Sequence, residues 1–169
     1  MGLDMYLRAS KYVGGWRHSP DEARNEYERM VELFGMEDFV DKGSPSADVD
    51  FTVGYWRKAN AIHRWFVREC QGGVDECQKT SVGIDQLIVL KGLCEHALGV
   101  RQKVGVNVKA AIRTAVDVLP PESGFFFGQA EVNDWYWESL EHTIEVVDRC
   151  LALDARPGEY WDFEYQSSW

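Results

Sequence analysis

The chain has 169 residues, 45% hydrophobic and 27% charged, with a formal net charge of -10. That length predicts one domain, residues 1–169, with a core that needs no disulfide staple. The acidity speaks against a duplex-DNA binder, which presents a basic face, and no apolar run approaches the roughly 18–20 residues of a membrane helix.

The opening Met1-Gly2-Leu3-Asp4 lacks the basic and apolar regions of a signal peptide, and Tyr6 stands where a myristoylation motif carries Ser or Thr. The chain is therefore expected in the cytoplasm, with no membrane partner. Leu3 to Arg8 alternates apolar and polar residues, as a half-buried strand does, and Gly14-Gly15 breaks it. Ser19-Pro20-Asp21-Glu22 then starts a helix. It runs to about Phe34, with Tyr27, Met30, Val31 and Phe34 inward, and Gly35 ends it. Residues 41–48 read as a loop. Val49 to Val53 alternates again and leads directly into a predicted helix over 55–70, closed by Gly72-Gly73.

The stretch up to Thr80 carries no clear signal. Residues 84–98 predict a third helix, with Ile84, Leu87, Ile88, Cys94 and Leu98 inward. A fourth runs from about Val108 to Leu119, stopped by Pro120-Pro121. The fifth has Tyr136, Leu140, Ile144, Val147 and Leu151 on one stripe and Glu138, Glu141, Glu145 and Asp148 away from it. Tyr160 to Gln166 alternates, with Trp161, Phe163 and Tyr165 on one face. The terminal strands are expected to pair with each other or to flank a shared neighbour. The fold class is thus α+β: a small, largely antiparallel sheet including both terminal strands, covered by about five helices.

Residues 55–68 hold four cations and no carboxylate. Turned by about 100° per residue, a helix there buries Tyr55, Ala59, Ile62 and Phe66. His63 and Trp56 follow round the circumference, then Val67 and Asn60, then Arg64, Arg57 and Arg68. A wall that stacks a ring and pairs a phosphate needs this order of groups. The same residues also fit boundary packing for Trp56, a core contact for His63 and solvated arginines.

Two further segments could serve such a wall. In Ser123-Gly124-Phe125-Phe126-Phe127-Gly128, neighbouring rings of an extended chain point to opposite sides, so Phe126 could present a stacking face; a packed interhelical connection fits equally. Between Glu95 and Asp117 stand Arg101, Lys103, Lys109 and Arg113 with no carboxylate. Folded near 55–68, this run would make a positive concavity on an acidic body; alone it would be a solvated basic face.

Catalytic and metal motifs are missing from the sequence. It has no P-loop, GxGxxG, nucleophile elbow or HExxH. Asp4, Asp162 and Glu164 could form a carboxylate pair on terminal strands, or simply occupy a polar sheet face. Cys70, Cys77, Cys94 and Cys150 match no zinc or redox spacing. No catalytic residue, metal or cofactor is expected. The leading expectation is a non-enzymatic binding protein for a small anionic ligand, a nucleotide first among them. Arg57 and Arg64 would pair the phosphate, Trp56 or Phe126 would stack the ring, and Asn60 and His63 would read polar edges.

Four blocks carry a resemblance: Met1-Gly2-Leu3-Asp4-Met5-Tyr6-Leu7; Gly54 to Val67 (GYWRKANAIHRWFV); Ser123 to Gly128 (SGFFFG); and Tyr165-Gln166-Ser167-Ser168-Trp169. Together the chain resembles a family of small uncharacterised proteins of bacteriophages and prophage-bearing bacteria. The likeness spans nearly the whole length and is weakest from about 71 to 105. It implies a bacterial cytoplasm as the setting and no particular mechanism. In that setting the binding protein would be a counter-defence sponge for a nucleotide immune signal. The alternatives are an inhibitor or adaptor of a host protein, for which seven tryptophans and seven tyrosines offer anchors, and a small nucleotide hydrolase or transferase. Self-association as a homo-oligomer is open.

Overall fold

The computed structural model describes residues 2–103, 108–124 and 130–169. The elements are β1 (Asp4–Gly14), α1 (Asp21–Phe34), β2 (Ser46–Arg57), α2 (Asn60–Cys70), β3 (Thr80–Val82), α3 (Ile84–Gln102), α4 (Val108–Val118), α5 (Asp134–Asp154) and β4 (Asp162–Ser168). The strands form one sheet in the order β2-β1-β4-β3. The α+β class and the largely antiparallel sheet are as the sequence predicts, and the two terminal strands lie side by side in it. Among the described residues no helix is long and apolar enough to cross a membrane.

Two compact units make up the chain: Met1–Ala9 with Thr52–Trp169, and Ser10–Phe51. In the larger unit, Met5, Leu7 and Ala9 of β1 are buried and alternate with half-buried Asp4, Tyr6 and Arg8. Phe163, Tyr165 and Ser167 do the same on β4. Period-two alternation sends one face of each strand inward, and those faces share a core with Ile62, Phe66, Leu87, Leu90, Leu140 and Val147 of the helices. Helix α3 packs on α4 and α5, and α2 packs on α5 and β3. The rings of Phe66 and Tyr165 stack in the core, 4.0 Å between centroids and 8° from parallel.

The predicted helix over 55–70 is corrected at its start. Strand β2 continues through Tyr55-Trp56-Arg57, with Gly54 and Trp56 buried and Tyr55 and Arg57 exposed. Trp56 donates from Nε1 to Thr143 Oγ1 of α5 at 3.0 Å, which fixes that alternation. Lys58 then turns the chain with a left-handed backbone (φ 54°), and the helix begins only at Asn60. Strand β2 also begins earlier than predicted, at Ser46. Between the stretch without clear signal and α3 lies β3, which the sequence did not announce and whose three residues pair antiparallel with β4: Thr80 with Tyr165, Ser81 with Glu164 and Val82 with Phe163. In α3 the inward seam is Leu87, Leu90, Cys94, Ala97 and Leu98. Ile88, predicted inward, is exposed, because it lies one helical step from Leu87 and outside this seam.

In the smaller unit, Gly15 N donates to Pro45 O at 2.8 Å, and the ring of Tyr27 lies so close to Gly15 that an added Cβ would stand 2.3 Å from it. Lys11 and Glu26 pair at 2.9 Å. Helix α1 ends where expected: Gly35 is left-handed (φ 62°) and its amide donates to Glu32 O. Of the four residues predicted inward on α1, Tyr27 is buried, Met30 and Val31 are half-buried, and Phe34 is exposed.

Candidate functional site

The structure separates the residues that the sequence pattern grouped on one helix edge. Trp56 is buried against Thr143, and its ring meets Phe66 and His142 at 6.0 and 5.9 Å. Arg57, next to it on a strand, points to the opposite, exposed side. Asn60 is buried at the start of α2, and its Oδ1 accepts from Glu122 N at 3.3 Å. Phe126 lies outside the described residues. On the polar strand faces, Asp4 accepts from the Tyr55 hydroxyl at 2.5 Å, and Glu164 pairs with Lys79 at 2.9 Å.

His63 belongs to an internal network. Its Nε2 lies 2.9 Å from Asp75 Oδ2 and its Nδ1 lies 2.7 Å from the Tyr165 hydroxyl. A carboxylate only accepts, so Nε2 carries the proton and Nδ1 accepts from Tyr165. Burial pushes the His63 pKa below its ordinary value, outweighing the Asp75 carboxylate that favours the charged ring. Burial raises the Tyr165 pKa well above its usual range, so the phenol stays protonated and donates. Asp75 also accepts from Trp169 Nε1 at 2.8 Å, Ser167 Oγ at 3.1 Å and Cys77 N at 3.3 Å. With four donors on two oxygens, this carboxylate is saturated. The chain Asp75–His63–Tyr165 has the look of a proton relay, but Tyr165 is fully buried and lines none of the three cavities described below. It pins the 71–79 loop to α2 and the C-terminal strand.

Three cavities differ in the charge they present. One, of about 400 Å³, lies at the starts of α2 and α5; Lys58, Asn60, Asn133, Trp135 and Glu131 are among its lining residues. Its one cation faces one carboxylate. A second, of about 300 Å³, is lined by Arg64, Arg68, Glu69 and Asp117 with apolar neighbours. It is balanced too, and among the described residues its lining does not bring Arg64 together with the basic run after Glu95; Arg101 pairs with Asp134 at 3.6 Å and covers the Trp137 ring at 5.1 Å.

The third cavity lies wholly in the smaller unit and has a volume of about 430 Å³. Gly15, Trp16, Arg17 and His18 form one side, Val40, Lys42, Gly43 and Pro45 another, and Tyr27 its buried wall. Trp16 and His18 lie 23° from parallel with centroids 5.9 Å apart, an offset pair of ring faces. The indole Nε1 is anchored on the Tyr12 hydroxyl at 2.9 Å. Among the described residues neither Arg17 nor Lys42 forms an ion pair, and no carboxylate lines the cavity. Asp41, next to Lys42, is turned onto the Gly43 amide at 2.8 Å. Arg17 and Lys42 are far apart in the chain, so no spacing groups them; the adjacent Trp16-Arg17-His18 is the signal the sequence carries.

Comparison with protein-family models, with curated proteins and with solved structures gave no match. The chemistry of the site rests on its own geometry. Among the described residues, no group of three or more His, Cys, Asp or Glu side chains stands ready to hold a metal ion. Burial raises the pKa values of Cys70 and Cys150 to about 11, so those thiols are poor nucleophiles near neutral pH.

Proposed function

We propose that this chain is a non-enzymatic binding protein for a small anion that carries an aromatic ring, a nucleotide being the ligand of that description most available in a cell. The observation that supports this most is the third cavity: two unpaired cations and a ring pair around about 430 Å³, with no carboxylate in the lining. A volume in the range of a few hundred Å³ suits a mononucleotide or a small dinucleotide. Arg17 and Lys42 pair the phosphate, Arg17 with its planar fork and Lys42 as a point charge. The ligand ring extends the Trp16–His18 stack. On a chain of net charge -10 a local positive hollow concentrates anions that the rest of the surface repels. In the phage setting that the resemblance implies, such a protein sequesters a nucleotide immune signal.

Isothermal titration with a nucleotide panel tests the reading. Arg17→Ala/Lys42→Ala should lower affinity by about tenfold for each cation lost, the effect of a charge-assisted hydrogen bond trimmed by solvent exposure. Arg57→Ala/Arg64→Ala should leave it unchanged. The opposite pattern would move the site to the 55–68 segment.

A further inference from the structure

The second cavity lies wholly in the larger unit and holds two opposite charges that do not meet. Arg64 of α2 and Asp117 of α4 both line it. Among the described residues neither forms an ion pair, with the other or with a third group. The remaining charged residues of the lining, Arg68 and Glu69, are exposed chain neighbours that pair with each other at 3.5 Å. One cation and one carboxylate are thus left over around about 300 Å³.

Each of the two is placed for a partner. Arg64 is half-buried, and its Nε is shut off from solvent without an acceptor. A buried donor left unpaired is costly, so it marks a place for an acceptor. Asp117 is exposed in the last turn of α4, which holds no basic residue. The helix presents its negative end there, and a carboxylate added to it calls for a cation. The residues four on from Val116 and Asp117 are Pro120 and Pro121, which bring no N–H to those carbonyls. The rest of the wall is largely apolar: Trp65 and Leu119 are buried, Leu93 is half-buried and Val89 of α3 is exposed.

We propose that this cavity binds a free α-amino acid with an apolar side chain. The Arg64 guanidinium takes the carboxylate, with its Nε as one tooth of the fork. Asp117 and the end of α4 take the ammonium, and the side chain covers Val89, Leu93 and Leu119. The balance of charge selects this class. A phosphate would set its excess negative charge against Asp117 and Glu69, and a plain amine or a plain carboxylate would leave one of the two groups without its partner. The volume lies at the small end of the roughly 300–1,000 Å³ of ligand cavities, which suits an amino acid. This inference does not depend on the nucleotide reading: it uses a different cavity, and its ligand carries no phosphate.

Isothermal titration of the full chain with L-leucine, L-methionine and L-phenylalanine tests it, followed by the N-acetyl and amide derivatives of the tightest binder. The first derivative lacks the ammonium and the second the carboxylate. At least one amino acid should bind with a Kd below about 1 mM. Each derivative should bind about tenfold more weakly or worse, the effect of losing a hydrogen bond between charged groups. Asp117→Asn should weaken the amino acid by about tenfold and leave the N-acetyl derivative as it was, closing the gap between them. Arg64→Gln should do the same for the amide. If Arg64→Gln fails to fold by circular dichroism, Asp117→Asn, on an exposed residue, decides alone. Absence of binding by all three amino acids would overturn the proposal. So would a derivative that binds as tightly as its parent, or an affinity that survives Asp117→Asn or a folded Arg64→Gln.

Discussion

Trp56 on β2 and Thr143 on α5, 87 positions apart, share a buried hydrogen bond of 3.0 Å. Thr143 Oγ1 in turn donates a hydrogen bond to Ser139 O at 2.6 Å, so the indole is held by a hydroxyl that is itself satisfied. This pairing orients the last turn of β2 and removes Trp56 from any surface it could offer a ligand.

Trp56→Phe keeps a single aromatic ring but loses the indole donor and part of a buried ring, so it should cost at least about 0.5–1.5 kcal/mol of stability, the net value of a typical hydrogen bond, with a cavity cost added. Gly54→Ala should cost about 1–3 kcal/mol by overpacking, because an added Cβ would stand 2.6 Å from Val146 Cγ1 and 2.8 Å from the Trp56 ring. Denaturant titration checks both. Nucleotide affinity measured on the folded Trp56→Phe protein should be unaltered.

Tyr165→Phe should leave the stack on Phe66 in place while removing the hydroxyl that donates to His63 Nδ1. Loss of that buried hydrogen bond should cost about 0.5–1.5 kcal/mol, the net value of a typical one. Asp75→Asn should be at least as harmful, since an amide offers one acceptor oxygen where the carboxylate receives four donors. Thermal melting of the two variants beside wild type reads these losses.

The His63 pKa is lowered on folding, chiefly by burial, with Asp75 and Glu122 opposing. The unfolded chain therefore binds the proton more readily than the folded one. The stability that neutral His63 contributes is fully present above about pH 6.5, the ordinary value for histidine. It falls as pH drops below that value, with a limiting slope of about 1.4 kcal/mol per pH unit. Denaturant midpoints at pH 7.5 and pH 5.5, compared with those of His63→Gln, should show the wild-type advantage shrinking towards the acid side. An advantage that grew there would mean that the folded ring is easier to protonate.

Lys58 is left-handed, a conformation that costs a residue with a Cβ about 1–2 kcal/mol. Lys58→Gly should therefore be at least neutral for stability in denaturant titration. It also removes the one cation of the first cavity, and nucleotide affinity should stay as it is; a loss would relocate the ligand there.

The sheet and the long helices were readable because their signals are local. Period two in β1 and β4 and the apolar stripe of α5 report on the side of the element that is buried, whatever it packs against. The short strand β3 was not readable: three residues carry no period, and it exists because β4 offers a pairing edge. The β2–α2 junction failed for a related reason. Tyr55 to Arg57 fits a helix as well as a strand, and the choice is made by Thr143, which lies far along the chain. Site residues suffered most. His63 and Trp56 have polar atoms suited to a ligand, yet those atoms are taken by Asp75, Tyr165 and Thr143. The cavity of Trp16, Arg17, His18 and Lys42 draws on two segments brought together by the Gly15–Pro45 hydrogen bond, a contact that no spacing announces.

The most direct test of the binding claim is native mass spectrometry of the protein purified from bacterial cells, followed by heat release and chemical analysis of what it held. The account predicts a nucleotide-sized anion, recovered intact from the wild-type protein and missing from Arg17→Ala/Lys42→Ala. An empty wild-type protein that also binds no member of a nucleotide panel would contradict it.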